Sequence, residues 1–266
     1  MAANSSIEWC TATWNPLAGC TPAGDDCRNC YAASMALRLE AMGQEKYRGT
    51  AKRVKSDGRA VFTGRINLDY TALELPSRWK RPQRIFVNSM SDLFHKDVPD
   101  HFILEVFAAM ERAPWHIFQI LTKRPDRMRA WVRKHQEWVD YAAGEGEYLR
   151  RYGHVWCGTS IGANCYTWRA DFLRETPAAV RFISAEPLLS GLPSLNLDGV
   201  HWLVVGGESG PKARPMHQRW PRQLRDQCEG AGVAYFFKQH GEWIGLADYD
   251  LLHHGAMNQY PVRSIW

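Results

Sequence analysis

The stretch RIFVNSMSDLFHKDVPDHFILEVFAAMERAPWHIFQILTKR, residues 84–124, contains one complete strand–helix–strand unit. Arg84 to Met90 is rich in branched and aromatic residues and runs into the polar Asn88-Ser89-Met90-Ser91-Asp92, the pattern of a strand entering a loop. From Asp100 to Arg112, Phe102, Ile103, Val106, Phe107 and Met110 recur at helical spacing and share one face, with Asp100 placed to cap the start. His116 to Leu121 is a second strand and ends in Thr122-Lys123-Arg124. Strand, helix and strand in close succession imply a right-handed crossover between parallel neighbours.

The same alternation extends both ways along the 266 residues. Further strands are expected at Ile7 to Trp14, Ala60 to Ile66, His154 to Ile161, Val180 to Ala185, Val200 to Gly206 and Val233 to Lys238. Further helices are expected at Asn29 to Met42, Pro125 to Arg133, Cys165 to Arg174 and Pro221 to Glu229, whereas Leu188 to Gly199 is too broken for one. Eight strands is the number that closes a (β/α)8 TIM-like barrel, so the expectation is one α/β barrel domain over residues 1–266 with a short tail from about 241. An open doubly wound sheet is the alternative. In a barrel the C-terminal strand ends build the site, so Asn88 to Asp92, Thr122 to Arg124, Glu186, Gly206 to Ser209 and Gln239-His240 should converge. The tail, with Trp243, Tyr249, His253 and His254, has no clear pattern.

Composition is that of an ordinary globular chain, 45% hydrophobic and 23% charged. No apolar run approaches the roughly 20 residues that span a bilayer, and Met1 to Glu8 lacks a basic-then-apolar leader. A cytoplasmic location away from membranes follows as the expectation. The net charge of +5 is compatible with a nucleic acid or phosphorylated partner. Of seven cysteines, Cys20, Cys27 and Cys30 crowd into eleven residues, while Cys10, Cys157, Cys165 and Cys228 are scattered. In a reducing compartment such crowding reads as metal ligation before disulfides.

The cysteine segment, Gly19 to Tyr31, falls between the first strand and first helix, at the expected barrel mouth. Glycine and proline let it curl so that three thiolates face one centre, and three soft thiolates suit iron–sulfur or zinc. Three readings fit. A three-cysteine cluster leaves one iron of a four-iron, four-sulfur (4Fe-4S) cluster open. A structural zinc site takes a fourth ligand, such as Cys10 or a histidine. An unliganded trio of core thiols is the third.

Glu8 to Pro16 followed by the three cysteines, Phe86 to Phe94, Leu121 to Pro125, Ser184 to Leu188, Val205 to Gly210 and Phe236 to Gln239 together resemble the phage-associated three-Cys-motif family over about Ile7 to Trp243. That largely uncharacterised family is similar to radical S-adenosylmethionine enzymes in its barrel and its N-terminal triplet. The resemblance implies a 4Fe-4S cluster, S-adenosylmethionine as a second cofactor, an external electron donor, a genomically linked partner protein, and formation of a 5′-deoxyadenosyl radical that takes a hydrogen from substrate. The chain departs from the wider pattern in its triplet spacing, six residues then two where three then two is usual, and in having Asn29 before the last cysteine with Tyr31 after it. Its Gly206-Gly207-Glu208 also follows the seventh expected strand, where the usual glycine-rich element follows the second.

Candidate metal ligands are therefore Cys20, Cys27 and Cys30. Asn88, Ser89, Gly206, Gly207 and Glu208 are candidate cofactor-binding residues, and Asp92, Lys123, Glu186 and Lys238 candidate catalytic residues, as carboxylates and amines at strand ends. A lysine at the end of the last strand needs a partner, either an anionic ligand or Glu208. Lys123, Arg124, Arg127 and Arg129 could grip phosphates or form a solvated face, and Trp79 between Arg78 and Lys80 suits packing more than base stacking. The resulting expectation is an iron–sulfur enzyme that modifies or repairs a nucleic acid base or nucleotide. The alternative is a nucleic-acid- or partner-binding barrel with a structural zinc or iron–sulfur centre. A metal-dependent hydrolase fits less well, because the strand ends lack several histidines.

Overall fold

The computed structural model describes residues 5, 7–210, 212–242 and 258–261. The chain opens with β1 (Ala12–Trp14) and β2 (Leu17–Ala18), passes the cysteine loop into α1 (Tyr31–Ala41), then makes β3 (Ala51–Arg53), β4 (Ala60–Phe62), β5 (Asn67–Leu68) and α2 (Leu75–Arg78). From there strand and helix alternate: β6 (Arg84–Val87), α3 (Asp100–Glu111), β7 (Ile117–Thr122), α4 (Pro125–Ala143), α5 (Glu147–Tyr152), β8 (Val155–Ser160), α6 (Arg169–Arg174), β9 (Arg181–Ala185), β10 (Trp202–Gly206), α7 (Arg219–Ala231) and β11 (Ala234–Gln239). The stretch Leu188 to Gly199 contains no helix, as its sequence implies. Helix α4 runs past Arg133 because Val132, His135 and Val139 continue its buried stripe.

Seven strands form one parallel sheet in the order β1-β6-β7-β8-β9-β10-β11. Each strand lies beside its predecessor in that series, so the order never reverses. A doubly wound sheet reverses at a switch point and carries helices on both faces, whereas same-handed crossovers advancing one way put the helices on one face. The alternative fold is thereby excluded. The closed eight-stranded barrel is corrected as well. The expected second strand, Ala60 to Ile66, is not in the sheet: Ala60–Phe62 pairs antiparallel with Ala51–Arg53, and β1 pairs directly with β6. Gly49, Gly58 and Gly64, all at positive φ, punctuate this segment, so it folds back on itself and does not enter a parallel sheet.

Alternation along the strands gives the sheet two differently furnished faces. Ile85, Val87, Phe118, Ile120, Ile183, Leu203 and Val205 face the helices and join the larger core. Phe86, Trp156, Phe182, Trp202, Val204 and Phe236 form a second core around Trp9. The Trp9 ring lies 4.7 Å from Phe86 on β6 and 6.1 Å from Trp202 on β10. Those strands are four spacings apart, about 19 Å in a flat sheet. One indole reaches both only because the sheet curls around it. Strands β1 and β11 share no ladder, and Tyr260 lies across the open side: its ring packs on Trp202 and Phe236, Arg84 stacks on it at 4.3 Å, and its hydroxyl donates to the Glu8 carbonyl. Trp243, Tyr249, His253 and His254 lie outside the described residues. No described helix is long and apolar enough to cross a membrane.

Candidate active site

On the inner face, the same alternation that builds the aromatic core turns polar one step further along each strand. Phe86 is followed by Asn88, Leu121 by Lys123, Ser184 by Glu186 and Phe236 by Lys238. These side chains line a cavity of about 540 Å³ at the C-terminal end of the sheet, with the aromatic layer as its floor. Cys20, Cys27 and Cys30 line it too, as do Ser89, Asp92, Gly207 and Glu208. Most of the strand ends expected to converge do so, but Met90, Gly206 and His240 are not among the lining residues. A shallower depression of about 730 Å³ between α7 and the 188–199 loop, lined by Trp220 and Gln223, holds none of these groups.

The cysteine loop is tied down on every side. Asp26, between Cys20 and Cys27, is buried and accepts from Arg169 at 2.9 Å, with the Lys123 ammonium 3.7 Å away. Asp25 accepts from Arg214 at 2.6 Å, and Arg214 also grips Glu208 at 2.6 Å. Asn29 donates to the same Glu208 carboxylate at 2.9 Å. The Thr21 hydroxyl meets Nε2 of buried His95 at 2.8 Å, and the Thr21 carbonyl accepts from Arg124 at 2.7 Å. The six-residue spacer between the first two cysteines thus carries the acidic pair that anchors the loop.

Each candidate catalytic residue has a definite occupation. Asp92 is buried and saturated: it accepts from Thr122 at 2.7 Å, from the Phe94 amide and from Arg124 at 2.7 Å. It positions Arg124, which reaches Sγ of Cys20 at 3.7 Å. Lys238 pairs with Glu186 at 2.9 Å, where the sequence left an anionic ligand or Glu208 as its partner. Glu186 also accepts from the Trp9 indole and the Ser184 hydroxyl. Of the residues read as a phosphate grip, Arg127 is bound to Asp100 and to the carbonyls of His95 and Val98, and Arg129 to Glu175. Trp79 packs against the larger core.

The candidate cofactor residues divide. Asn88 has φ 63, the left-handed region, and is 2% exposed, yet neither its amide oxygen nor its nitrogen has a hydrogen-bond partner. A buried side-chain amide with both ends unsatisfied is costly unless a water or a ligand satisfies it. Ser89 donates to Asn15 at 3.2 Å. Gly207 is required by the chain itself, since a Cβ there would meet the His240 carbonyl at 2.1 Å, whereas a Cβ on Gly206 would meet the Glu186 carboxylate at 2.7 Å, which that side chain must shift to avoid. Glu208 spends its carboxylate on Arg214 and Asn29.

The electrostatics follow from burial and these partners. Burial pushes the Cys20 thiol up to about 12, with the Asp92 charge adding to it and Arg124 opposing, and burial raises Cys30 as well. Burial works against the charge of Lys123, but Cys27, Asp26 and Cys30 outweigh it and hold its pKa above the ordinary lysine range. Burial would raise Glu208, but the bonds from Arg214 and Asn29 prevail and lower it. Cys157 is a core thiol, likewise pushed up to about 12 by burial. Cys10 lies in the aromatic layer, its thiol turned to Ser5 and the Ile7 carbonyl. Among the described residues, no three His, Cys, Asp or Glu side chains are gathered closely enough to share a single metal ion.

Asp26, Arg214 and His95 were not singled out by sequence reasoning, and Asn29 was noted only as a departure from the usual triplet. The acidic doublet inside a cysteine spacer was the signal available. Fold and site define an α/β protein with an open, curled parallel sheet and a three-thiol loop at the mouth of its inner cavity. The chain belongs to the family described as a protein of unknown function (DUF5131), which matches residues 4–258. No curated protein matches it. Among solved structures it is similar to a double mutant of spore photoproduct lyase with bound AdoMet and dinucleoside spore photoproduct, at 12% identity and TM-score 0.42, over 90% of this chain and 59% of that one. It is also similar to spore photoproduct lyase complexed with the dinucleoside spore photoproduct, at 12% identity and TM-score 0.45, over 91% of this chain and 79% of that one.

Proposed function

We propose that this chain is an iron–sulfur enzyme of the radical S-adenosylmethionine type that modifies or repairs a nucleic acid base or nucleotide. The observation that carries the proposal is that three thiols from one loop open onto the same strand-end cavity as the buried, unsatisfied amide of Asn88. The donor set fits the group: Cys20, Cys27 and Cys30 would hold a 4Fe-4S cluster and leave one iron for the second cofactor. When bound and reduced by an external donor, that cluster supplies the electron that cleaves S-adenosylmethionine.

The protein's own groups do the rest. Lys123 offsets the negative charge that three thiolates bring into a buried site. Arg124, held by Asp92, donates towards Cys20. Asn88 offers one donor and one acceptor to the polar end of a ligand. Glu186 and Lys238 present a carboxylate and an ammonium side by side, suited to a ligand that carries both charges. The aromatic floor closes the cavity from below.

Anaerobic purification, followed by addition of reductant and S-adenosylmethionine, should yield 5′-deoxyadenosine, and Asn88→Ala should reduce the yield at least about tenfold through loss of ligand hydrogen bonds. A protein that carries its cluster yet leaves the cofactor intact would contradict the proposal. That result would favour a nucleic-acid- or partner-binding protein with a structural metal centre, a reading that the dense anchoring of the loop also suits.

A further inference from the structure

The chain's positive charge is concentrated in one element. Residues 46–65 hold seven lysines and arginines and one carboxylate, a net of +6 against +5 for the whole protein, although Lys46 and Arg48 are paired with Asp69 and Glu45 just outside the segment. All other residues together therefore carry one more carboxylate than cation. This segment is centred on the β3–β4 hairpin, the piece that sequence periodicity assigned to the barrel and that the fold sets outside it. Lys52, Arg53 and Lys55 are exposed, and among the described residues none has a carboxylate partner. Asp57, the one acid of the segment, is held near Arg59 at 3.4 Å.

The hairpin's position gives that charge a direction. Ala51, Ala60 and Phe62 pack it onto α1 in a small core of its own. Lys52 lies opposite Val61, so the two share a face of the ribbon, and Val61 lines the cavity. Arg59 donates to the Arg28 carbonyl of the cysteine loop at 3.0 Å, and Lys212 reaches across to the Asp57 carbonyl at 2.9 Å. The cationic ribbon therefore borders the mouth through which a substrate reaches the thiols.

We infer that the β3–β4 hairpin is a docking surface for the phosphate backbone of a nucleic acid strand, which it guides past the cavity mouth. The inference rests on the reading of the target as a nucleic acid base and sharpens it from nucleotide to polymer: several unpaired cations spread along a ribbon match a repeating anion, where a lone nucleotide needs one compact cluster. The contacts carry no base choice, which leaves selection to the cavity.

The test is fluorescence anisotropy of a labelled 20-nucleotide single-stranded DNA of mixed sequence, titrated with the full chain across a range of salt. The triple variant Lys52→Glu, Arg53→Glu, Lys55→Glu should weaken binding at least about tenfold, and should flatten the plot of log affinity against log salt by about 2, since each lost phosphate contact contributes about 0.7 for a single strand. The neutral triple Lys52→Gln, Arg53→Gln, Lys55→Gln should flatten it equally. A control triple of the same charge change, Lys80→Glu, Arg81→Glu, Lys134→Glu, removes exposed cations that lie away from the hairpin and should leave the slope unchanged. Equal loss in the control and hairpin variants would overturn the inference, as would unaltered binding in both hairpin variants or preferential binding to phosphatidylserine vesicles. The readout does not use the cluster, so failure here leaves the cluster reading standing, and absence of 5′-deoxyadenosine leaves this inference standing.

Discussion

The cysteine loop and the β3–β4 hairpin are neighbouring excursions from the same side of the sheet, and they are built in opposite ways. The loop carries Asp25 and Asp26 and is bound by Arg214, Arg169 and Lys123, cations supplied by distant parts of the chain. The hairpin carries the cations itself, and those at its tip are left to solvent. Charge satisfied internally fixes geometry, whereas charge left unsatisfied on a surface is available to a partner. Holding three thiols in one arrangement is a demand of the first kind. Attracting a polyanion is one of the second.

The largest effect that separates the two regions should come from Asp26→Ala. It strands the Arg169 guanidinium, 1% exposed, in a buried site without its counter-charge. Breaking one side of such a pair costs about 3–5 kcal/mol, and urea unfolding should register that loss. An unchanged midpoint would mean that the loop is not anchored as described.

Acid should act next, through buried histidines of which one, His95, holds the loop. Burial lowers the pKa of His95, which holds Thr21, and likewise of His116 and His154, from an ordinary value of 6.5. A histidine with a depressed folded-state pKa costs nothing while both states are neutral. As pH falls below about 6.5 the unfolded chain takes up protons that the folded chain refuses, so stability declines until the folded pKa is passed. Thermal unfolding followed from pH 7.5 to 5.5 should show the decline, and a flat profile would contradict it.

Asn88→Gly should give a smaller effect of opposite sign. It removes two unsatisfied buried amide atoms and suits the φ of 63, so stability should rise by about 1 kcal/mol. Turnover of S-adenosylmethionine should fall at the same time. A variant that gains stability and keeps its turnover would deny Asn88 a role in ligand binding. The smallest effect belongs to the hairpin: the triple Lys52→Glu, Arg53→Glu, Lys55→Glu should leave stability within about 0.5 kcal/mol, as exposed substitutions do. A loss as large as that of Asp26→Ala would show that the hairpin is structural.

Much of this was legible before the structure. Strands β6 to β11 announce themselves by alternating apolar runs, and their polar ends converge because parallel strands in unbroken order bring their C-terminal ends to one side. Ala60 to Ile66 was misplaced in the barrel because it has a strand's composition, while its partner, Ala51–Arg53, is set by the glycine turns around them and not by periodicity. The anchors of the loop were invisible for a different reason: Arg214 and Asp25 are 189 residues apart, and nothing local marks Arg214 as the partner. Lys238 was correctly taken to need a partner, but its neighbour in the curled sheet is Glu186, a choice that depends on strand order. The thiols were recognisable because three cysteines in eleven residues are rare by chance.

The central claim is that Cys20, Cys27 and Cys30 hold a four-iron cluster with one iron left free. Iron and acid-labile sulfide, measured per chain after anaerobic reconstitution of the parent protein, of single alanine variants at each of these cysteines and of Cys10→Ala, test it most directly. The account predicts about four of each in the parent and in Cys10→Ala, the stoichiometry of a 4Fe-4S cluster, and a collapse in the three loop variants. A parent that binds zinc and no iron, or a cluster lost on replacement of Cys10, would contradict it.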